Sequence, residues 1–156
     1  MSAVADRLAE LGLRVPEVVP PVAAYQPAVR DGRYVYVSGQ LPMVDGALPA
    51  TGKVGEGAGQ VSPSRAAELA QRCALNAVAA LASVADLDRV VRVVKVVGFV
   101  ASGDGFVGQP AVVNGASELF AAAFGDAGRH ARSAVGVAAL PLDAPVEVEA
   151  IFAVED

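Results

Sequence analysis

Two rhythms of hydrophobic and polar residues run along this chain, and the points where one replaces the other mark its elements. In 34–37, Tyr34 and Tyr36 alternate with Val35 and Val37, the period of a half-buried strand. Strands are expected over 24–29 and 33–38, turning at Asp31-Gly32, where glycine tolerates positive φ. Ser38-Gly39-Gln40 breaks the second run, and a glycine there lets the backbone come close to another chain or a ligand. Residues 45–60 hold five of the sixteen glycines and read as a mobile loop. Their GEGAG string lacks the Lys-Ser/Thr ending of a phosphate loop and follows no βαβ strand. The rhythm then becomes helical. Ser62-Pro63 supplies an N-cap and a proline at the first helical position, and Ala66, Leu69, Cys73, Ala77, Leu81 and Val84 recur at helical spacing, ending the helix near Ser83.

After a turn at 86–89, Val90–Ala101 is a long β-branched strand, apolar on both faces except for Arg92 and Lys95, and is expected to be central and covered on both sides. Lys95 is read as snorkelling outward from a sheet end. A second helix starts at Pro110, with Val113, Ala116/Ser117, Phe120, Ala121 and Phe124 on one side and Gly125 closing it. Strands 132–138 and Val146–Val154 follow, joined through 140–145 and read as a C-terminal hairpin. Upstream, residues 3–11 fit a short amphipathic helix with Val4, Leu8 and Leu11 on one side. Gly12 ends it, and a proline-stiffened extended arm follows. The domain reading is an N-terminal arm, 1–22, and a single domain, 23–156.

The polar residues inside the last strands carry the candidate chemistry. Glu147 and Glu149 sit two apart and so share a face, with Val146, Val148 and Ala150 on the other. Arg132 opens the strand before them. Pattern alone leaves two readings open, a solvated face with a salt bridge and a site that holds an anion and activates water, and it favours the first.

Composition narrows the function classes. The 156 residues are 54% hydrophobic and 19% charged, yet Arg, Lys, Gly or Pro interrupts every apolar run before membrane-spanning length. No signal-peptide pattern opens the chain. One cysteine, Cys73, rules out an internal disulfide, fits a reducing cytoplasm, and reads as a small buried hydrophobe. A net charge of −5 without a basic tract argues against nucleic-acid binding, and one histidine with one cysteine cannot build a His/Cys metal cage, so no metal is expected. The order β-β-loop-α-β-α-β-β gives two helices, enough to cover one sheet face. The other face still carries valines and alanines, and partner subunits are the economical cover.

In this order the chain resembles the RidA/YjgF family of enamine/imine deaminases, also called the L-PSP family. The matching strings are Tyr25 ahead of a strand ending Val37-Ser38-Gly39-Gln40, then 95–100, Val113-Asn114, Ala131-Arg132-Ser133, Leu140-Pro141 and VEVEAI at 146–151. The resemblance implies an α+β, chorismate-mutase-like fold, a mixed sheet with two helices on one face, assembled as a cytoplasmic homotrimer with active sites between subunits. It implies cofactor-free hydrolysis of reactive 2-imino or enamine acids of the 2-aminoacrylate type to 2-keto acids and ammonia, a form of metabolite damage control. On this match Arg132 binds the substrate carboxylate and Glu147 holds the attacking water. Tyr25, Ser38, Gly39 and Asn114 line the cleft, and Glu149 falls back to a structural ion pair. A non-catalytic trimer binding small carboxylates or keto acids is the alternative, and an endoribonuclease is a third reading. The chain departs from many members at Ala134, where they have cysteine, and at His130, where proline is common. His130 is expected to cap a turn rather than reach the site. The arm and loop 45–60 do not follow the shorter members.

Overall fold

The computed structural model describes residues 2–156; Met1, the first residue of the expected arm, lies outside them. Five strands form one sheet: β1 (Ala28–Asp31), β2 (Tyr34–Gln40), β3 (Val90–Ala101), β4 (Ala131–Val137) and β5 (Val146–Val154). Their spatial order is β1-β2-β5-β3-β4, antiparallel except for the parallel β3–β4 pair. The helices are α1 (Ala3–Glu10), α2 (Pro63–Ala82) and α3 (Gln109–Phe124). This is the expected α+β architecture, with α2 and α3 packed together on one face of the sheet.

The local chemistry explains each helix. Ser62 Oγ accepts from Arg65 N–H at 3.2 Å, and Pro63 follows at the first position of α2. The buried alanines of α2 leave little side chain between helices, and at Gly115 of α3 a Cβ would overlap the Ala67 carbonyl, so the two helix backbones nearly touch. Together they bury Val35, Val93, Val96, Val100, Val148 and Phe152 of the sheet. Helix α1 lies against α3 instead of the sheet. Asp88 accepts from Ser2 Oγ and from the Ala3 and Val4 N–H groups, which anchors the start of α1, and those bonds hold its carboxyl below the usual range. Val4 and Leu8 are buried as expected, whereas Leu11 is exposed. The helix stops at Glu10, Gly12 turns the chain at φ +71°, and Leu13 packs on the core in place of Leu11.

Several expectations at the strand ends are corrected. Residues 24–27 stay outside β1, because Pro27 has no N–H for the ladder. The hairpin turn is Gly32-Arg33, one residue later than expected, with Asp31 and Tyr34 paired across it and Gly32 at φ +60°. On α3, Ala121 faces outward. Strands β4 and β5 do not form a hairpin, since β3 lies between them. The connector instead crosses over β3 through a short 3-10 turn at Pro141–Asp143, in which Leu142 and Asp143 take positive φ. Strand β5, not β3, is the central one.

Within the chain, β3 is covered on one face only. A bulge between Val93 and Lys95 shifts its phase, so Val93 and Val96, three residues apart, both face the helices. Lys95 lies mid-strand on the uncovered face, donating to Ser133 Oγ at 3.3 Å, and does not snorkel from a sheet end. The uncovered face presents Tyr34, Tyr36, Val97, Phe99, Val135 and Ile151, all exposed or half-buried. The glycine-rich loop is tied down by Val54, which is fully buried and bridges to Val61 and Ser102. The extended arm after α1, the 43–46 segment and Arg72 of α2 enclose a cavity of about 770 Å³. No candidate site residue lines it. No helix among the described residues is long and apolar enough to cross a membrane.

Candidate active site

The six candidate residues fall into two groups. The first gathers where β2 leaves the sheet. Val37 pairs with Ala150 and Gln40 with Val148, so Ser38 and Gly39 together oppose Glu149 in a bulge. Ser38 donates its hydroxyl to the Gln26 carbonyl at 2.6 Å and its N–H to Pro27 O at 2.9 Å. These bonds hold the segment carrying the exposed Tyr25 beside the bulge. Gly39 lies against the carboxylate of Glu147: a Cβ added at Gly39 would overlap Glu147 Oε1. The close approach foreseen for this glycine is to a side chain of the same protein.

Glu147 is half-buried and faces the uncovered side of β5, opposite Val146 and Val148 in the core. Burial raises its carboxyl above the ordinary glutamate range, and the like charge of Glu149 adds to the rise. Glu147 forms no ion pair among the described residues. The same holds for Glu149, which corrects the expected structural pair; the ion pairs present are Arg65–Glu68 and Arg129–Asp126. Behind the sheet Cys73 is fully buried with its thiol pushed well up by desolvation and by Glu147, in keeping with a packing role.

The second group sits on edge strand β4 and helix α3. Arg132 pairs in register with Val96, a core residue, so it points to the helix side. Its Nη1 donates to Asn114 Oδ1 at 2.8 Å and to Ser117 Oγ at 3.3 Å, and its Nη2 donates to the Pro110 carbonyl at 3.3 Å. All three acceptors are neutral, and no carboxylate pairs with this guanidinium among the described residues. An arginine has five N–H donors in a planar fork, so at least two remain for an incoming planar anion. Ser117 is the contact that sequence reasoning missed. Asn114 and Ser117 are three apart and thus on one helix face, a polar stripe beside an apolar one. His130 does cap a turn, through Nδ1 and the Gly128 carbonyl at 2.6 Å, and it also reaches Ser117 Oγ through Nε2 at 2.9 Å.

Within one chain the two groups lie on opposite faces of the sheet. The pattern had placed Arg132 near Glu147 and Glu149 on one surface, but Arg132 faces α3 and Glu147 faces away from it. The profile of the family described as Endoribonuclease L-PSP matches residues 16–154 of this chain. The chain belongs to the RidA/YjgF/L-PSP family. Protein TCP17 of Trypanosoma cruzi is 45% identical over 150 residues, covering 95% of this chain and 92% of that protein. Among solved structures, the protein Atu1372 of Agrobacterium tumefaciens, described as of unknown function, is 42% identical, with TM-score 0.88 and coverage of 98% of this chain and 93% of that one. The yjgF gene product of E. coli is 28% identical, with TM-score 0.64 over 90% of this chain and 94% of that one. The L-PSP fold is therefore shared with both, and the Agrobacterium structure follows more of this chain.

Proposed function

We propose that this L-PSP protein hydrolyses reactive 2-imino acids without a cofactor, with Arg132 binding the substrate carboxylate and Glu147 activating water. The observation that carries the reading is the uncompensated guanidinium of Arg132, held in place by three neutral acceptors with donors to spare. A carboxylate satisfies that fork with two parallel charge-assisted bonds. Glu147 then supplies the base. Its raised pKa strengthens it as a proton acceptor.

The reaction follows from these two roles. The protonated imine is electrophilic at C2. As the water oxygen bonds to C2, Glu147 takes a water proton and the C=N π electrons move to nitrogen. The resulting carbinolamine receives that proton on nitrogen. As its C–N bond breaks, a lone pair of the hydroxyl oxygen forms the C=O bond and the hydroxyl proton passes to Glu147 and on to the departing ammonia, leaving a 2-keto acid. Both charged groups cannot reach one substrate within a single chain, so each site would take Arg132 with Asn114 from one subunit and Glu147 with Gly39, Ser38 and Tyr25 from the next. A homotrimer meets that need and covers the open, apolar sheet face.

The test is to generate 2-aminoacrylate with a serine dehydratase and follow the decay of the imine. Accelerated decay that is lost in Arg132→Ala is the expected result. Saturable 2-keto acid binding without turnover would instead support the binding-protein reading. The family's description raises ribonuclease activity, and RNA cleavage that follows the protein on purification and disappears with Arg132→Ala would favour it. A net charge of −5 supports the small-anion reading over RNA, because phosphate backbones demand a basic surface.

A further inference from the structure

The contacts around Arg132 continue past it into a directional chain. His130 Nδ1 lies 2.6 Å from the Gly128 carbonyl, which can only accept, so Nδ1 carries the proton. In the neutral ring Nε2 is then an acceptor. Ser117 Oγ, 2.9 Å away, must donate to it. With its single proton committed, the Ser117 oxygen offers only lone pairs to Arg132 Nη1 at 3.3 Å. The imidazole is itself fixed in orientation by an edge-on contact with Phe120, whose ring centroid is 6.0 Å away. Donation therefore runs one way, from the guanidinium through Ser117 and His130 to a backbone carbonyl.

We infer that His130 and Ser117 are positioning residues for Arg132, setting the angle at which its free N–H groups meet a substrate carboxylate. The inference rests on the reading of Arg132 as the carboxylate-binding residue. Neither residue touches the reacting atoms. Their value lies in holding a cation without neutralising it: a carboxylate partner would orient the guanidinium equally well but spend its charge, whereas a hydroxyl forced to accept orients it and leaves the charge for the ligand. Asn114 alone fixes one nitrogen at one point, and Ser117 supplies a second acceptor on the same nitrogen from one helical turn further along.

Two measurements test this on the full-length protein. The chain has one histidine, so its imidazole ¹⁵N resonances are unambiguous. A proton on Nδ1 and none on Nε2 is expected, and a proton on Nε2 would overturn the chain of donors. In the imine-decay assay, Ser117→Ala is expected to raise KM about tenfold with kcat changed less than threefold, because carboxylate binding is shared by ground and transition states. Ser117→Thr, which keeps the hydroxyl, should restore KM to within about threefold of the parent. His130→Ala should resemble Ser117→Ala, and the double variant should be no worse than either alone, since one chain is cut in both. Melting temperatures identify any variant that loses activity by unfolding, and in that event the threonine variant and the tautomer decide. If Arg132→Ala abolishes binding while Ser117→Ala and His130→Ala leave KM unchanged, the positioning role is wrong and the reading of Arg132 stands. If Arg132→Ala changes nothing, that reading itself fails.

Discussion

The two halves of the candidate site are built by opposite means. Arg132 is held by addition: a carbonyl, an amide and a hydroxyl all aim at it from α3. Glu147 is held by subtraction, in the space left where Gly39 has no side chain, with no hydrogen bond or ion pair of its own among the described residues. The difference matters chemically. A group that grips an anion benefits from a fixed direction, while a group that takes a proton benefits from a poorly solvated, unpaired state that raises its basicity. It also locates the weak points: hydrogen-bond partners around Arg132, and empty volume around Glu147.

The largest effects come from removing the two charges themselves. Glu147→Gln should lower kcat in imine hydrolysis on the order of 10²–10⁴-fold with little change in KM, as loss of a general base does. Arg132→Ala should lower kcat/KM by about 10²–10³-fold, chiefly through KM, and Arg132→Lys should recover little because a point charge cannot grip in two places. Mixing the two inactive variants after dissociation and reassembly sharpens the comparison. If the halves belong to different subunits, random mixing rebuilds about a quarter of the sites with both groups intact. No recovery in verified mixed oligomers would mean that the two groups do not act across an interface.

Next in size is the glycine that leaves room for the carboxylate. Gly39→Ala puts a Cβ where Glu147 Oε1 lies, so the carboxylate must move. A displacement of about 1 Å is expected to cost on the order of 10²-fold in rate. Gly39 does not take a positive φ, so backbone strain adds nothing there. Gly32→Ala is the contrasting control. It lies in a turn at φ +60° with open space around it, and should lose about 1 kcal/mol or more of stability with activity intact. Denaturant melts and imine-decay rates on both variants separate the two costs.

How much of this was legible in the sequence divides along the same line. Periodicity located α2, β3 and β5 because their caps and β-branched runs are local signals. It failed for the hairpin of β4 and β5, because which strand fills the gap between two others is decided by packing and not by either strand's own residues. Strand order does not set which way a side chain points, and the face of Arg132 is decided by its register with the buried Val96. Gly39 announced a close approach without saying to what, since the partner lies more than a hundred residues away. Ser117 was visible as a member of the α3 apolar side and overlooked as the polar neighbour of Asn114. The motif match named the candidate site residues, but alternation alone could not tell Glu147 from Glu149; the close approach of Gly39 to Glu147 makes their surroundings differ.

A smaller effect is expected on stability, with a sign opposite to that on activity. The folded-state pKa of Glu147 is raised, so the native state binds its proton more tightly than the unfolded chain does. Above that raised pKa the ionised carboxylate destabilises the fold. Below the unfolded value both states are protonated and the penalty is gone. Glu147→Gln should therefore raise the melting temperature at pH 7, and the gain should shrink as pH falls from the raised pKa to the ordinary glutamate value. Activity of the parent should decline with falling pH already above that value, as the base becomes protonated. Calorimetry and a kcat profile over pH 4–8 test both signs together.

The smallest expected change is at Glu149, and it asks whether the like charge or the burial sets the behaviour of Glu147. Glu149 occupies the uncovered face beside Lys95 and Tyr36, without an ion pair among the described residues. Glu149→Gln removes the second cause of the Glu147 shift and leaves the first, burial, untouched. The acid limb of the kcat profile should move downward yet stay above the ordinary glutamate range, with the rate at pH 7 altered less than about twofold. Repulsion between two partly solvated carboxylates is screened by salt, so the displacement between parent and variant should narrow at about 1 M salt, where the Debye length is ~3 Å. A limb that drops fully into the ordinary range would make Glu149, and not the pocket over Gly39, the main source of the basicity of Glu147.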